Sequence, residues 1–375
     1  MPEDPMHDPS SAPPSPPSPP SLPSSHGSRR PTLDEVARRA GVSRSAASRA
    51  MNNARNVSPA KREAIERAAE ELGYVPNATA RALVTNRVGS VVLAFSGDDP
   101  AFFGDPFFSQ VVVGVATVLE KAELDLTLVL ASAPNGQARI ERLLRSRRTD
   151  GVMLMALRRD DPLARVADAT DLPIVFCGRP LTGDPRWYVD ADNRGGARSA
   201  TEHLLRSGRR RLAVITGPMD QEASVARWQG FVDAMAVAGL APSLVEHADF
   251  SHDGGARAMA RLLAADQELD AVFVASDNMA AGAVSTLRAH GRTVPGDVAV
   301  VGFDDLDVAR HTDPPLTTVH QPVRALGHEM ASMLIRVMDG ESPSPIILPT
   351  HLVVRESAPS SPGAEASGLP AAMPG

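Results

Sequence analysis

The sequence predicts a short all-α module with a helix-turn-helix pattern, followed by an α/β body of parallel sheets with helices on both faces. Three observations predict it. Helix start and stop signals recur between Pro31 and Gly73. From Val88 to Arg355, short apolar runs alternate with helical stretches. The charge also divides: residues 29–87 hold 12 basic and 6 acidic side chains, whereas the chain from Val88 onward holds 26 basic and 36 acidic. A basic module on an acidic body suits contact with a polyanion.

At roughly 100–200 residues per domain, 375 residues suit two or three domains. No apolar stretch approaches the ~18 residues of a membrane-spanning helix. Cys177 stands alone, which excludes an internal disulfide framework and a cysteine-based zinc cluster and fits a reducing cytosol. Residues 1–28, dominated by proline and serine, are predicted to form a disordered tail without the marks of a secretory signal; residues 356–375 read as a second tail.

The module occupies residues 29–75. Thr32 followed by Glu35 is a capping box, which opens a helix running to Ala40. Gly41 suits the left-handed position beyond a helix end. Ser43 is an N-cap for a second helix, Arg44 to Met51. Ser58-Pro59 supplies a cap and a first-turn proline for a third, whose Ile65, Ala68, Ala69 and Leu72 form an apolar face ended by Gly73. Two helices joined by a short glycine-containing turn make a helix-turn-helix, although the pattern alone equally suits an ordinary helical bundle.

The wording is more specific. Thr32-Leu33-Asp34-Glu35-Val36-Ala37-Arg38-Arg39-Ala40-Gly41-Val42-Ser43, then Ser48-Arg49, Asn52, Val57-Ser58 and Glu71-Leu72-Gly73-Tyr74-Val75-Pro76-Asn77, resembles the lac repressor (LacI/GalR) family. The likeness runs from about Pro31 to Arg355. It implies that the second helix enters the major groove of DNA, with Arg44 and Ser45 where base edges are read and Arg49 reaching guanine. Thr32, Ser43, Ser48, Asn52 and Asn77 complete the implied DNA-contacting set. An arginine fork on guanine O6 and N7 is the commonest specific contact; a plain phosphate contact is the alternative for Arg49. The chain departs from the family at Ala46-Ala47, where Thr-Val is usual, which removes a phosphate-binding hydroxyl and thins the small core. Residues 76–87 resemble the family's hinge helix. It is too short to be stable alone, and in the family it folds when two copies meet in the minor groove. There Ala80 would permit close approach and Leu83 would wedge between base pairs.

From residue 88 to 355, the apolar runs are Ser90 to Phe95, Leu124 to Ala131, Gly151 to Leu157, Pro173 to Cys177, Arg211 to Thr216, Ala271 to Ala275 and Val298 to Val301. Helical stretches between them give repeated βαβ units. The resemblance implies two similar lobes with strands crossing between them, a periplasmic-binding-protein-like core for effector binding and dimerisation. Ligands in such sheets bind at the carboxyl ends of strands. Candidates there are Asp105 and Phe107 of Asp105-Pro106-Phe107 (the family commonly has Asn-Pro-Phe), Arg179, Asp192, Asp277, Asp304 and Gln321, where the crossover signature Pro314 to Gln321 ends. By resemblance, Arg227 clamps the effector and Phe250 stacks on it. Carboxylates accept from hydroxyls, a guanidinium donates to oxygens, and an aromatic face covers an apolar one. Asp192 and Asp277 also stand where helix N-caps do, and Arg179 also suits a structural ion pair.

These readings predict a cytoplasmic, nucleoid-associated transcriptional regulator, a repressor that binds a pseudo-palindromic operator as a homodimer and responds to a small molecule. With Asp105, Asp277 and Asp304 facing Arg179 and Arg227, a neutral polyhydroxylated effector, a sugar or nucleoside, is expected. No cofactor and no metal is expected. Phosphate-loop, nucleophile-elbow and zinc-protease motifs are absent, which argues against an enzyme. The alternative is a solute-binding protein of the same core fold without a regulatory role.

Overall fold

In the computed structural model the capping box at Thr32 is formed. Glu35 N–H donates to Thr32 Oγ1 (3.4 Å) and Thr32 N–H donates to Glu35 Oε2 (2.7 Å), opening α1 (Leu33–Arg39). Gly41 follows at φ +68°, a left-handed conformation that needs no Cβ. Ser43 Oγ accepts from Ala46 N–H (3.2 Å) and opens α2 (Arg44–Met51). Pro59 starts α3 (Pro59–Leu72), and Gly73 ends it at φ +64°. Ser58 holds the N-cap position there, but its hydroxyl makes no capping bond. The three helices close on Val36, Ala37, Ala47, Ala50, Ile65, Ala68 and Ala69, all buried. Five of these seven are alanine, so Val36 and Ile65 carry most of the apolar area.

The structure describes residues 31–51, 56–75, 87–96, 105–131, 135–145, 148–156, 158–161, 163–164, 170–182 and 185–360. The chain divides into two compact units at Arg81–Ala82. The tails expected at residues 1–28, most of the second one, and the hinge at 76–86 lie outside the described residues.

In the second unit, each lobe is a six-stranded sheet between helical layers. The first sheet runs β11-β5-β4-β3-β1-β2, from β1 (Ser90–Ser96), β2 (Asp125–Ala131), β3 (Gly151–Met155), β4 (Ile174–Cys177), β5 (Tyr188–Ala191) and β11 (Ile346–Leu348). Its central strands β1, β3 and β4 are buried on both sides, which explains their continuous apolar runs, whereas Leu128 and Leu130 of the edge strand β2 are exposed. Val91, Leu93 and Phe95 face α4 (Pro106–Lys121) and α11 (Val323–Met338), while Val92 and Ala94 face α5 (Asn135–Arg145).

The second sheet runs β12-β10-β9-β8-β6-β7. Its strands are β6 (Leu212–Thr216), β7 (Leu244–His247), β8 (Ala271–Val274), β9 (Ala299–Asp304), β10 (Thr317–His320) and β12 (His351–Val353). One face packs on α8 (His252–Ala265) and α9 (Asp277–Ala289). The other packs on α6 (Asn193–Arg206) and α7 (Glu222–Val237). The short α10 (Asp307–His311) connects β9 to β10.

The sheets are parallel, as expected, apart from β12, which pairs antiparallel with β10. One expectation is corrected: the ordered body passes Arg355, and Ser357 and Ala358 are buried. Ser357 Oγ donates to Val300 O (2.6 Å) and accepts from Thr317 N–H (2.8 Å), and His203 Nε2 lies 2.7 Å from Ala358 O. Small residues in the sequence hid this docking, because it is made by hydrogen bonds rather than by an apolar run.

The chain passes between lobes three times: at Asp192 between β5 and α6, at Gln321-Pro322 between β10 and α11, and at Pro349-Thr350 between β11 and β12. The first and third passages are stitched together, with Asp192 N–H on Leu348 O (2.9 Å) and Thr350 Oγ1 on Asp192 O (3.0 Å).

The α4–α11 contact depends on reciprocal close approach: a Cβ at Gly114 would strike Arg324 O, and one at Gly327 would strike Val111 O. Backbone atoms cannot move aside as a side-chain tip does. Gly114→Ala is therefore expected to destabilise the unit by about 1–3 kcal/mol, measured as a lower midpoint in urea. An unchanged midpoint would show that the helices separate freely.

Candidate functional site

Helix α7 buries Ala226, Gly230, Phe231, Ala234 and Met235, and beside them the charged Arg227, at 4 % exposure. Burying a guanidinium requires that its donors be met. Nε donates to Asn193 Oδ1 (2.8 Å), Nη1 to Ala275 O (2.5 Å) and Nη2 to Gln321 Oε1 (3.1 Å). Nη2 also lies 3.1 Å from Asp304 Oδ1, an ion pair outside hydrogen-bond geometry, so that oxygen is buried with no hydrogen-bond partner in the protein. The guanidinium stacks over Phe303 at 3.7 Å from the ring centre.

This network forms the floor of a cavity of about 710 Å³ between the lobes, at the carboxyl ends of the strands. Small-molecule sites span ~300–1,000 Å³. Seven of the nine candidate residues line it: Asp105, Phe107, Arg179, Arg227, Phe250, Asp304 and Gln321. Asp105 caps α4 through Phe107 N–H (2.9 Å), and burial raises its pKa. Asp304 leaves β9 at φ +103°, a strained conformation that turns its carboxyl into the cavity. Burial first, and then the charge of Asp105, pushes Asp304 up to about 7 against the pull of Arg227. Phe250, also left-handed at φ +65°, closes on Gly217, where a Cβ would collide with its ring.

The other two candidates lie elsewhere. Asp192 caps α6, accepting from Gly195 N–H (2.9 Å). Asp277 is buried beneath the cavity, accepting from Thr318 Oγ1 (2.5 Å) and Leu306 N–H (2.8 Å), and burial raises its pKa strongly. It ties α9 to β10 and to the turn after β9. The expected trio of acids is thereby corrected: Asp277 lies outside the cavity, whose lining holds four acids the sequence reading missed, Asp249 and Asp253 at the Phe250 turn and, on the Arg227 side, Asp190 and Glu222.

Asp190 is the penultimate residue of β5 and accepts from Arg179 N–H (3.2 Å), Ala191 N–H (2.7 Å) and Asn193 Nδ2 (3.0 Å). Glu222 stands in the first turn of α7, with Oε2 buried and unmatched by any donor of the protein. Burial, reinforced by Asp190, pushes its pKa up to about 7. The signal for Asp190 was its place at a strand's carboxyl end. Glu222 carried none, since an acid in a first helical turn reads as a dipole partner. Cys177 also lines the cavity, but burial and Asp190 push its thiol up to about 12, which suppresses the reactive thiolate.

In the first unit, Arg44, Ser45 and Arg49 are exposed along α2, and Ser43 precedes them. Thr32 and Ser48 are half-buried beside them, Thr32 serving as the cap of α1. Arg44 pairs with Asp34 at 3.3 Å on the surface. Asn52, Asn77, Ala80 and Leu83 lie outside the described residues. No helix among the described residues is long and apolar enough to cross a membrane.

A helix-turn-helix joined in one chain to a two-lobed core with a ligand-sized interlobe cavity defines an effector-controlled DNA-binding regulator. Comparisons place it further. Residues 32–77 match bacterial regulatory proteins of the lacI family, and residues 201–358 match the periplasmic binding protein-like domain. The chain is 47% identical over 338 residues to the HTH-type transcriptional regulator CelR of Thermobifida fusca, covering 88% of this chain and 98% of that protein. It is 35% identical over 313 residues to the ribose operon repressor of Escherichia coli (strain K12), covering 81% and 92%. A solved CelR–cellobiose complex superposes with a TM-score of 0.70 at 43% identity, covering 88% of this chain and 100% of that one. The lac repressor dimer bound to operator and the anti-inducer ONPF gives 0.78 at 26% identity, with the same coverage. The chain belongs to the LacI family of transcriptional regulators.

The raised acid in α7 makes a stability prediction. An unfolded chain releases the Glu222 proton near the ordinary value of 4.5, whereas the folded chain holds it to about 7. The folded state therefore binds more protons between these values, and stability falls as pH rises through that window. Glu222→Gln removes this loss. The variant is expected to be more stable than wild type at pH 8 by roughly 1–2 kcal/mol, discounted for the partial exposure of the group, and no more stable at pH 4. Urea midpoints at the two pH values measure it; equal gains at both would refute the ionisation argument. Asp304 retains its own pH dependence in the variant.

Proposed function

We propose that this protein is a homodimeric, cytoplasmic repressor that binds a pseudo-palindromic operator and is controlled by a neutral sugar, of the β-linked glucose disaccharide kind, held in the interlobe cavity. The observation that carries the reading is Arg227 standing with Asp105, Asp190, Glu222 and Asp304, four of the six acids that line the cavity, in a space large enough for more than one sugar ring. An anionic ligand would face those acids, whereas sugar hydroxyls donate to them and accept from the arginines. The cellobiose held by CelR supports the same ligand class.

The reading gives the residues these roles. Arg49 and Arg44 contact the operator from α2, with Ser43, Ser45 and Ser48 beside them, while Thr32 positions the helix pair. Asp105, Arg179, Arg227, Asp304 and Gln321 hold the sugar, and Phe107 and Phe250 cover its apolar faces. A sugar bridging the lobes acts on the passages at Asn193 and Gln321 through Arg227. Its effect on operator affinity, typically about 1–3 kcal/mol in coupled sites, must be mirrored by the effect of operator on sugar affinity.

Two experiments test this. In thermal-shift assays of wild type against neutral sugars, nucleosides and anionic metabolites, cellobiose is expected to raise the melting temperature, since a ligand at 100 times its Kd stabilises by about 2.7 kcal/mol. A shift with anionic metabolites alone would overturn the sugar reading. With an operator obtained by selection from random duplexes, Arg49→Ala is expected to lose about 1–3 kcal/mol of specific binding and little binding to unrelated DNA. Equal losses on both would assign Arg49 to phosphate.

A further inference from the structure

The cavity contains two separate carboxyl neighbourhoods that share a single guanidinium. The charges acting on Asp304 are Arg227 and Asp105. Those acting on Glu222 are Asp190, Arg227 and Arg179. Arg227 is the common member. Each neighbourhood has one carboxyl that is held in place and one buried oxygen that no protein donor meets. On one side Asp105 is held by Phe107 N–H and Asp304 Oδ1 is open. On the other, Asp190 is held by three donors and Glu222 Oε2 is open. The second neighbourhood also spans the cleft, because Asp190 and Arg179 belong to the first lobe and α7 to the second.

We propose that Glu222, with Asp190 and Arg179, forms a second hydroxyl-reading station that receives the second ring of a disaccharide and so determines selectivity for two rings over one. The proposal rests on the sugar reading above and deepens it. An open acceptor beside a fixed carboxylate and a guanidinium is the donor–acceptor set that a vicinal diol satisfies. A buried acceptor left unmet is unfavourable, so a hydroxyl donated to Glu222 Oε2 gains more there than on a solvated rim. Because the station is built from both lobes, its occupation draws them together, whereas a single ring at Asp105 and Asp304 leaves it unfilled. A hydroxyl donated to Glu222 favours its ionised form, so binding expels the proton that the free group holds near neutral pH. Asp190, Arg179 and Arg227 are the charged groups facing it, and Asp304 contributes a separate proton release of its own.

The test uses the full-length protein, with cellobiose and glucose as probes. Isothermal titration of wild type, Glu222→Ala and Glu222→Gln is run near pH 7 in two buffers of different ionisation enthalpy, which counts protons released on binding. Glu222→Ala is expected to weaken cellobiose by about tenfold or more, as for loss of a hydrogen bond to a charged group, while glucose changes less than about twofold. Glu222→Gln, which keeps shape and fold, is expected to release fewer protons with cellobiose than wild type. Equal weakening of both sugars, no weakening of either, or unchanged proton release in Glu222→Gln would each overturn the second station while leaving the sugar reading intact. A wild type that binds neither sugar overturns the sugar reading itself, and the station with it.

Discussion

The buried guanidinium of Arg227 is the constraint on which the rest of the body depends. Its partners come from four places that chain order keeps far apart: the acceptors Asn193 just past the first interlobe passage, Ala275 just past β8 and Gln321 at the second passage, and the ion-paired Asp304 at the end of β9. A buried charge without partners costs several kcal/mol, so these groups cannot drift apart singly. The hub thus fixes where the strands end relative to the passages between lobes. It also means that a ligand cannot take an atom of this network without changing the pull on both passages.

The cavity acids show the other side of that constraint. Asp277 and Asp304 are both buried carboxyls raised in pKa mainly by burial, yet they differ in how their oxygens are met. Asp277 has a hydroxyl on one oxygen and a backbone N–H on the other, which makes it a tie between elements. Asp304 keeps Oδ1 open in a strained backbone conformation. Desolvated, incompletely matched groups lower the stability of the free protein, and they recover that loss only when something supplies donors. On the sugar reading, a site organised this way binds hydroxyls well because it is poor at satisfying itself.

Much of this was legible in the sequence. The helix-turn-helix was, because its signals are local: a capping box, a left-handed glycine and a proline at a helix start act within a few residues. Apolar runs located β1 through β4, β6, β8 and β9, because strands buried on both faces, as all of these but β2 are, need continuous apolar side chains. The strands β5, β7, β10 and β12 escaped, being three or four residues long with polar members such as Asp190, Glu246, His320 and His351, and β11 escaped because it has only three residues. The cavity was half legible. Residues at strand ends were found by position, but position could not separate Asp277 from Asp304, since both follow strands and only the packing of Thr318 and Leu306 decides between them. Glu222 was invisible because its significance lies in what faces it across the cleft, and no local pattern encodes that.

The module that meets DNA is built on the opposite principle. Its fully buried core is mostly alanine, Ala47 among it, and the larger Leu33, Val42, Met51, Val57, Leu72 and Tyr74 are only partly buried around it, so a small module has limited apolar burial to draw on. Its contact face holds little back. The Arg44–Asp34 pair is exposed on both sides and contributes about 0–1 kcal/mol at most. On the reading proposed above, such a pair yields to a phosphate or base edge at small cost, with released counterions adding to the gain. Weakly committed arginines then leave the binding free energy to the DNA presented. On that reading a coupling of about 1–3 kcal/mol from the effector cavity is enough to decide between bound and unbound operator.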